Sequence, residues 1–213
     1  MSKVLENAHQ HFHISTPVLV KSRSMDLYQH VRVVVSILVG FSLTHLLKGA
    51  ARLVQHPGRE RVYWVHLVWT FFIFIFLINF WWSEFRLQTV LVWTFPLYIL
   101  VVVYGILLYL LCALLFPDDL KEYEGFEGYF YLRKQWFFGV LAATWAIDYV
   151  DTLIKGDAYL RTLGIEYNLR LVGYITCSLV AIWTKNKGFH AAFAVIGTLY
   201  ELTWVFRRYF TLG

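Results

Sequence analysis

The sequence predicts an all-α, polytopic membrane protein with six transmembrane helices, and three observations carry that prediction. Of its 213 residues, 59% are apolar and only 15% charged. Soluble domains run to about 45–50% and about 25%, so this chain lacks the charge to cover a water-facing surface. Two stretches, 62–82 and 87–117, contain no Asp, Glu, Lys or Arg. Each is long enough to cross a hydrocarbon core, which takes about 20 residues at about 1.5 Å per residue. Tryptophans stand where such segments meet the headgroups: Trp64, Trp81, Trp82, Trp136, Trp183 and Trp204, residues whose rings are apolar and whose N–H is wet. Trp69, Trp93 and Trp145 fall deeper and are expected to pack between helices. This composition excludes a secreted disulfide scaffold, a disordered chain and an ordinary cytosolic enzyme.

Taken in order, residues 1–29 form a polar or interfacial segment without the apolar core of a cleaved signal, so the first span is expected to stay as an anchor. The string His9-Gln10-His11-Phe12-His13 offers alternate imidazoles for zinc or copper if extended, but no fourth ligand accompanies it and it reads as a solvated tail. A six-helix membrane domain follows over 30–213. Its first span, 30–53, centres on the uncharged run 33–47. The second and third spans are 62–82 and 87–116, and Pro96 near the start of the third predicts a kink. Spans four to six, 133–155, 165–184 and 188–209, have shorter uncharged runs. Runs of that length also suit buried soluble helices, but not alongside two clean spans. The longest loop, 117–132, alternates Asp118, Asp119, Glu122, Glu124 and Glu127 with aromatic residues, as an interfacial connector or a cation-attracting vestibule would. Cys112 and Cys177 read as small buried residues.

An even number of spans puts both termini on one side. The basic residues divide almost evenly between the two sides, so the positive-inside bias is weak. The termini are placed in the cytoplasm, with a bacterial-type inner membrane as the setting. The net charge of +5 reads as membrane anchoring rather than a nucleic-acid patch. The partners expected are the lipid bilayer and either further copies of the chain, as a homo-oligomer, or a larger membrane complex.

Six spans invite a test for two inverted three-helix halves. Residues 46–53 (Leu-Leu-Lys-Gly-Ala-Ala-Arg-Leu) and 153–160 (Leu-Ile-Lys-Gly-Asp-Ala-Tyr-Leu) agree at five of eight positions. That register aligns Thr44 with Asp151 and Lys48 with Lys155.

Ionisable groups at membrane depth are costly and mark partners, cavities or pathways. On the fourth span Asp148, Asp151 and Lys155 share one helix face, and Asp148 is too short to reach the headgroups. They form an ion or proton site, or else a buried pair that joins helices. On the first span Ser42, Thr44, His45 and Lys48 are polar, and His45 could relay protons near neutral pH or simply bond a neighbouring helix. A third set comprises Glu201, His190 and Thr198 on the sixth span and His66 on the second, beside Tyr63 and Thr70. Glu166 and Arg170 stand four apart on the fifth and read as interfacial.

No Gly-x-Ser-x-Gly, His-Glu-x-x-His or P-loop motif is present. The triplet Phe41-Ser42-Leu43 lacks the aspartate of the Phe-Ser-Asp signature of a six-span potassium channel family, and the chain is not placed in it. His45, His66 and His190 lack a diagnostic haem spacing, so the cofactor stays unknown and no metal is assigned. The leading functional expectation is a channel or half-transporter moving an ion, proton or small solute along a polar seam between the first and fourth helices. One alternative is a non-transporting subunit or assembly factor, with the two charge-free spans as its partner-facing wall. The other is an intramembrane enzyme using Asp148, Asp151 and His45 as acid and base.

Overall fold

The computed structural model describes residues 2–210 except 57, 59, 60, 91 and 121, with side chains from residue 24 to residue 209. The histidines at 9, 11 and 13 lie outside those described side chains. The chain forms six long helices: α1 (Ser2–Gln55), α2 (Trp64–Ser83), α3 (Phe95–Leu115), α4 (Phe126–Ile154), α5 (Asp157–Trp183) and α6 (Lys187–Phe210). All six contain segments long and apolar enough to cross a membrane.

Several boundaries differ from the sequence expectation, each for a local reason. The first helix does not start near 30 but runs unbroken from Ser2. The third splits: α2 ends in a 3₁₀ segment, Glu84–Thr89, and α3 starts only at Phe95. Pro96 therefore begins α3 instead of kinking it, in the first turn where a missing N–H leaves no bond unmade. Trp93 consequently sits in the linker, half-buried, not deep in a span.

The expected loop at 117–132 is shorter than its charge suggested, because α4 begins at Phe126. Phe126, Tyr129 and Phe130 recur at helical spacing and are buried, and that apolar stripe outweighs the acidic residues between them. Lys134, in the second position of the expected fourth span, is buried too. Its ammonium donates to the carbonyl of Ala181 at 3.0 Å and to that of Ile182, closing the C-terminus of α5.

Gly156 (φ 101) and Gly164 (φ 68) adopt left-handed backbone that disfavours other residues. The first ends α4 immediately after Lys155. The second breaks α5 into a short segment, 157–163, and the longer one expected from the sequence.

At the centre stands α2, which touches α1, α3, α4 and α6. One of the two charge-free helices is thus the hub of the bundle, although Trp64, Phe71 and Trp82 on it remain exposed. α1 packs chiefly on α3, α3 on α4, and α4 on α5, while α5 and α6 touch lightly. Mid-bundle, rings fill the interior. Trp69 meets Phe72, Phe137, Phe138 and Phe193 at centroid distances of 5.0–5.4 Å. Trp145 stacks between Phe76 (4.8 Å) and Tyr174 (4.5 Å).

The two similar octets differ in structure. Residues 46–53 stay inside α1, with Thr44 and Lys48 exposed, whereas 153–160 contain the break between α4 and α5, with Asp151 and Lys155 buried. Gly49 is where α1 meets the end of α3: a Cβ there would stand 2.1 Å from Cγ of Phe116. Gly49→Ala is therefore expected to destabilise the protein by about 1–3 kcal/mol through overpacking. Gly40→Ala, with open space around it, should have no such effect. Melting temperatures of the two variants check this.

Candidate functional site

The end of α4 builds the site. Asp148, Asp151 and Lys155 lie on one face of that helix, and Gly156 stops the helix so that Lys155 sits on its last turn. The Lys155 ammonium donates to Asp151 Oδ2 at 2.5 Å and to Glu84 Oε1 at 2.8 Å. All three side chains are buried. Two carboxylates thus share one ammonium, and Glu84 Oε2 and Asp151 Oδ1 have no hydrogen-bond partner among the described residues. One helical turn deeper, each oxygen of Asp148 accepts a phenol: Oδ1 from Tyr104 and Oδ2 from Tyr167, both at 2.8 Å. The Tyr167 hydroxyl also lies 2.9 Å from Thr152 Oγ1.

Asp148, Thr152, Lys155 and Arg170 line a cavity of about 30 Å³, room for about one water. Through Ser83, Tyr159, Leu163 and Trp204 it adjoins a vestibule of about 720 Å³ at the same end of the bundle. On the opposite wall the Arg170 guanidinium donates to Glu201 Oε2 at 2.6 Å, and both side chains are fully enclosed. Arg170 lies between the rings of Trp145 and Trp204, 4.7 Å from each centroid. Charge-assisted bonding of this kind is what makes buried ions tolerable.

The other predicted residues lie elsewhere. α1 and α4 do not pack against each other: α3 lies between them, so the expected seam between first and fourth helices is not formed. The Ser42 hydroxyl bonds back to Leu38 in its own helix, and Thr44 and Lys48 point outward. His45 places Nε2 3.1 Å from the Phe116 carbonyl, at the end of the bundle opposite Lys155, which separates it from Asp148 and Asp151 as an acid–base partner. His66 is buried against Phe116 and Phe126, with the Thr70 hydroxyl donating to its carbonyl. His190 places Nε2 3.1 Å from the Thr184 carbonyl, and Thr198 donates to Ala194. Glu201 is therefore paired with Arg170 and remote from His190. Glu166 is held by Arg207 and Tyr200, so the i, i+4 pair with Arg170 is not made. Trp204, assigned to the interfacial belt, is buried against Arg170 instead.

Sequence reasoning missed Glu84, Tyr104 and Tyr167, and singled out Arg170 with the wrong partner. Only Tyr104 carried a signal: a phenol in the middle of a charge-free span needs an acceptor nearby. Among the described residues, no group of three or more His, Cys, Asp and Glu side chains is arranged to hold a metal ion. No protein family, curated protein or solved structure matches the chain, so the chemistry of the site rests on its own residues.

Proposed function

We propose that this is a multi-pass integral membrane protein that moves protons along a gated pathway. Its loading site is Asp148 with the Glu84–Lys155–Asp151 cluster. The observation that carries the reading is the charge count of that cluster: two buried carboxylates against one ammonium, with one oxygen on each left without a donor. A buried excess of negative charge is expensive, and one proton removes it. The cavity beside Asp148 gives that proton a wet route from the vestibule. With the termini in the cytoplasm, the vestibule opens to the cytoplasm, since α6 ends at its rim.

The stack of Phe76, Trp145 and Tyr174 stands between this site and the other end, so the arrangement is that of a closed gate and not of an open channel. The location differs from the seam expected on the first helix. The subunit reading keeps its motive in part, since α2 and α3 still expose Trp64, Phe71, Trp82, Phe95 and Ile106, but it offers no use for the buried ion cluster. The enzyme reading loses its base, because His45 is remote. The two unlike octets lend no support to inverted halves.

The test is proton entry into liposomes holding a trapped pH-sensitive dye, under an imposed pH gradient with the membrane potential clamped. The protein is expected to accelerate entry, Asp148→Asn to slow it at least tenfold, and His45→Ala to leave it unchanged. Entry no faster than in protein-free liposomes, or an Asp148→Asn rate equal to the parent's, would overturn the proposal.

A further inference from the structure

The vestibule has a chemistry of its own. Arg86 from the 3₁₀ segment and Arg207 and Arg208 from the end of α6 stand on its wall, with Trp82, Phe85 and Tyr159. The Arg207 guanidinium is met by the Glu166 carboxylate. Arg86 and Arg208 have no carboxylate partner among the described residues. Their guanidinium carbons stand instead 5.1 and 5.4 Å from the centre of one ring, that of Tyr159, and Arg208 is also 5.9 Å from Trp204. A ring face attracts each cation modestly, but it does not neutralise two of them gathered on the same ring. Gln88 and Thr89 add neutral polar groups to the same wall. The pocket lies at the ends of α2 and α6, which in a membrane is headgroup level.

We propose that this pocket binds a phosphate ester, with Arg86 and Arg208 on the phosphate oxygens and Trp82 and Phe85 against the apolar remainder. The guanidinium fork matches phosphate oxygens in pairs, and 720 Å³ is in the range of small-molecule sites. The source of the phosphate is either a lipid headgroup or a soluble ester. This inference goes beyond the proton reading: Arg208 and Tyr159 also border the cavity beside Asp148, but Arg86, Trp82 and Phe85 do not, so Arg86→Gln tests it apart from that reading.

The experiment uses the full chain and has two arms. In the soluble arm, glycerol 3-phosphate is titrated against detergent-purified protein by thermophoresis. In the lipid arm, native mass spectrometry counts phosphatidylglycerol retained, against a diglucosyl diacylglycerol of the same chains. Saturable one-to-one binding is expected in at least one arm: the soluble arm would identify a free ester, and the lipid arm alone a headgroup. In the arm that binds, the double variant Arg86→Gln/Arg208→Gln is expected to lose at least tenfold in affinity. The single variant Arg86→Gln, at an exposed position, should lose severalfold, so the result does not depend on the double variant folding. Lys185→Gln, an exposed cation at the opposite end, should bind as the parent does. Absence of binding in both arms, parental affinity in Arg86→Gln, or an equal loss in Lys185→Gln would overturn the proposal.

Discussion

Lys155→Met is expected to destabilise the protein by about 3–5 kcal/mol, the cost of leaving a buried charge unpaired. Among the described residues the ammonium is the only donor to Glu84 Oε1 and Asp151 Oδ2, and its loss leaves both buried carboxylates without that compensation. The triple variant Glu84→Gln/Asp151→Asn/Lys155→Met removes the charges together. It should recover most of that stability, since buried ion networks are often replaced by neutral groups at little cost. Thermal unfolding of the single and triple variants in the same detergent checks the difference, and equal losses would show that the ions are not coupled. The triple variant also separates glue from function. If the cluster only joins α2 to α4, proton entry survives in the triple. If it loads the proton, entry is lost in a protein that still folds.

The sequence carried the number of helices because six apolar stretches have few alternatives once charge is so scarce. It located Asp148, Asp151 and Lys155 because spacing along one helix fixes a shared face. What it did not carry is which helices meet. Glu84 sits in a short connection that reads as solvent-facing, and only the packing of α2 against the end of α4 brings it to Lys155. Arg170 reads as a partner of Glu166 one turn away, whereas the choice of Glu201 depends on where α6 lies. The matching polar faces of the first and fourth spans were real as patterns. They imply contact only if the two helices adjoin, and the placement of α3 between them is a property of the whole bundle. Lys134 shows the same limit: a cation next to an acidic loop looks solvated until the end of α5 is brought over it.

Trp145→Ala should have the second large effect, on stability and on proton entry at once. The indole is fully buried, stacks on Phe76 and Tyr174 and carries the Arg170 guanidinium on its face. Its removal is expected to cost about 3–5 kcal/mol through the cavity it leaves. That cavity would open where the ring layer separates the Asp148 site from the rest of the interior, next to the Arg170–Glu201 pair. Under the proton proposal, Trp145→Ala therefore leaks: dye-detected proton entry rises above the parent rate although the protein is less stable. Trp145→Phe keeps a ring in the stack and should lose less stability and leak less. Adding Asp148→Asn to Trp145→Ala should abolish the leak, because a proton that crosses the ring layer still has to pass Asp148. A folded Trp145→Ala protein with the parent's rate would mean that the aromatic layer is packing alone. A leak that persists without Asp148 would mean that protons cross by a route that does not include it.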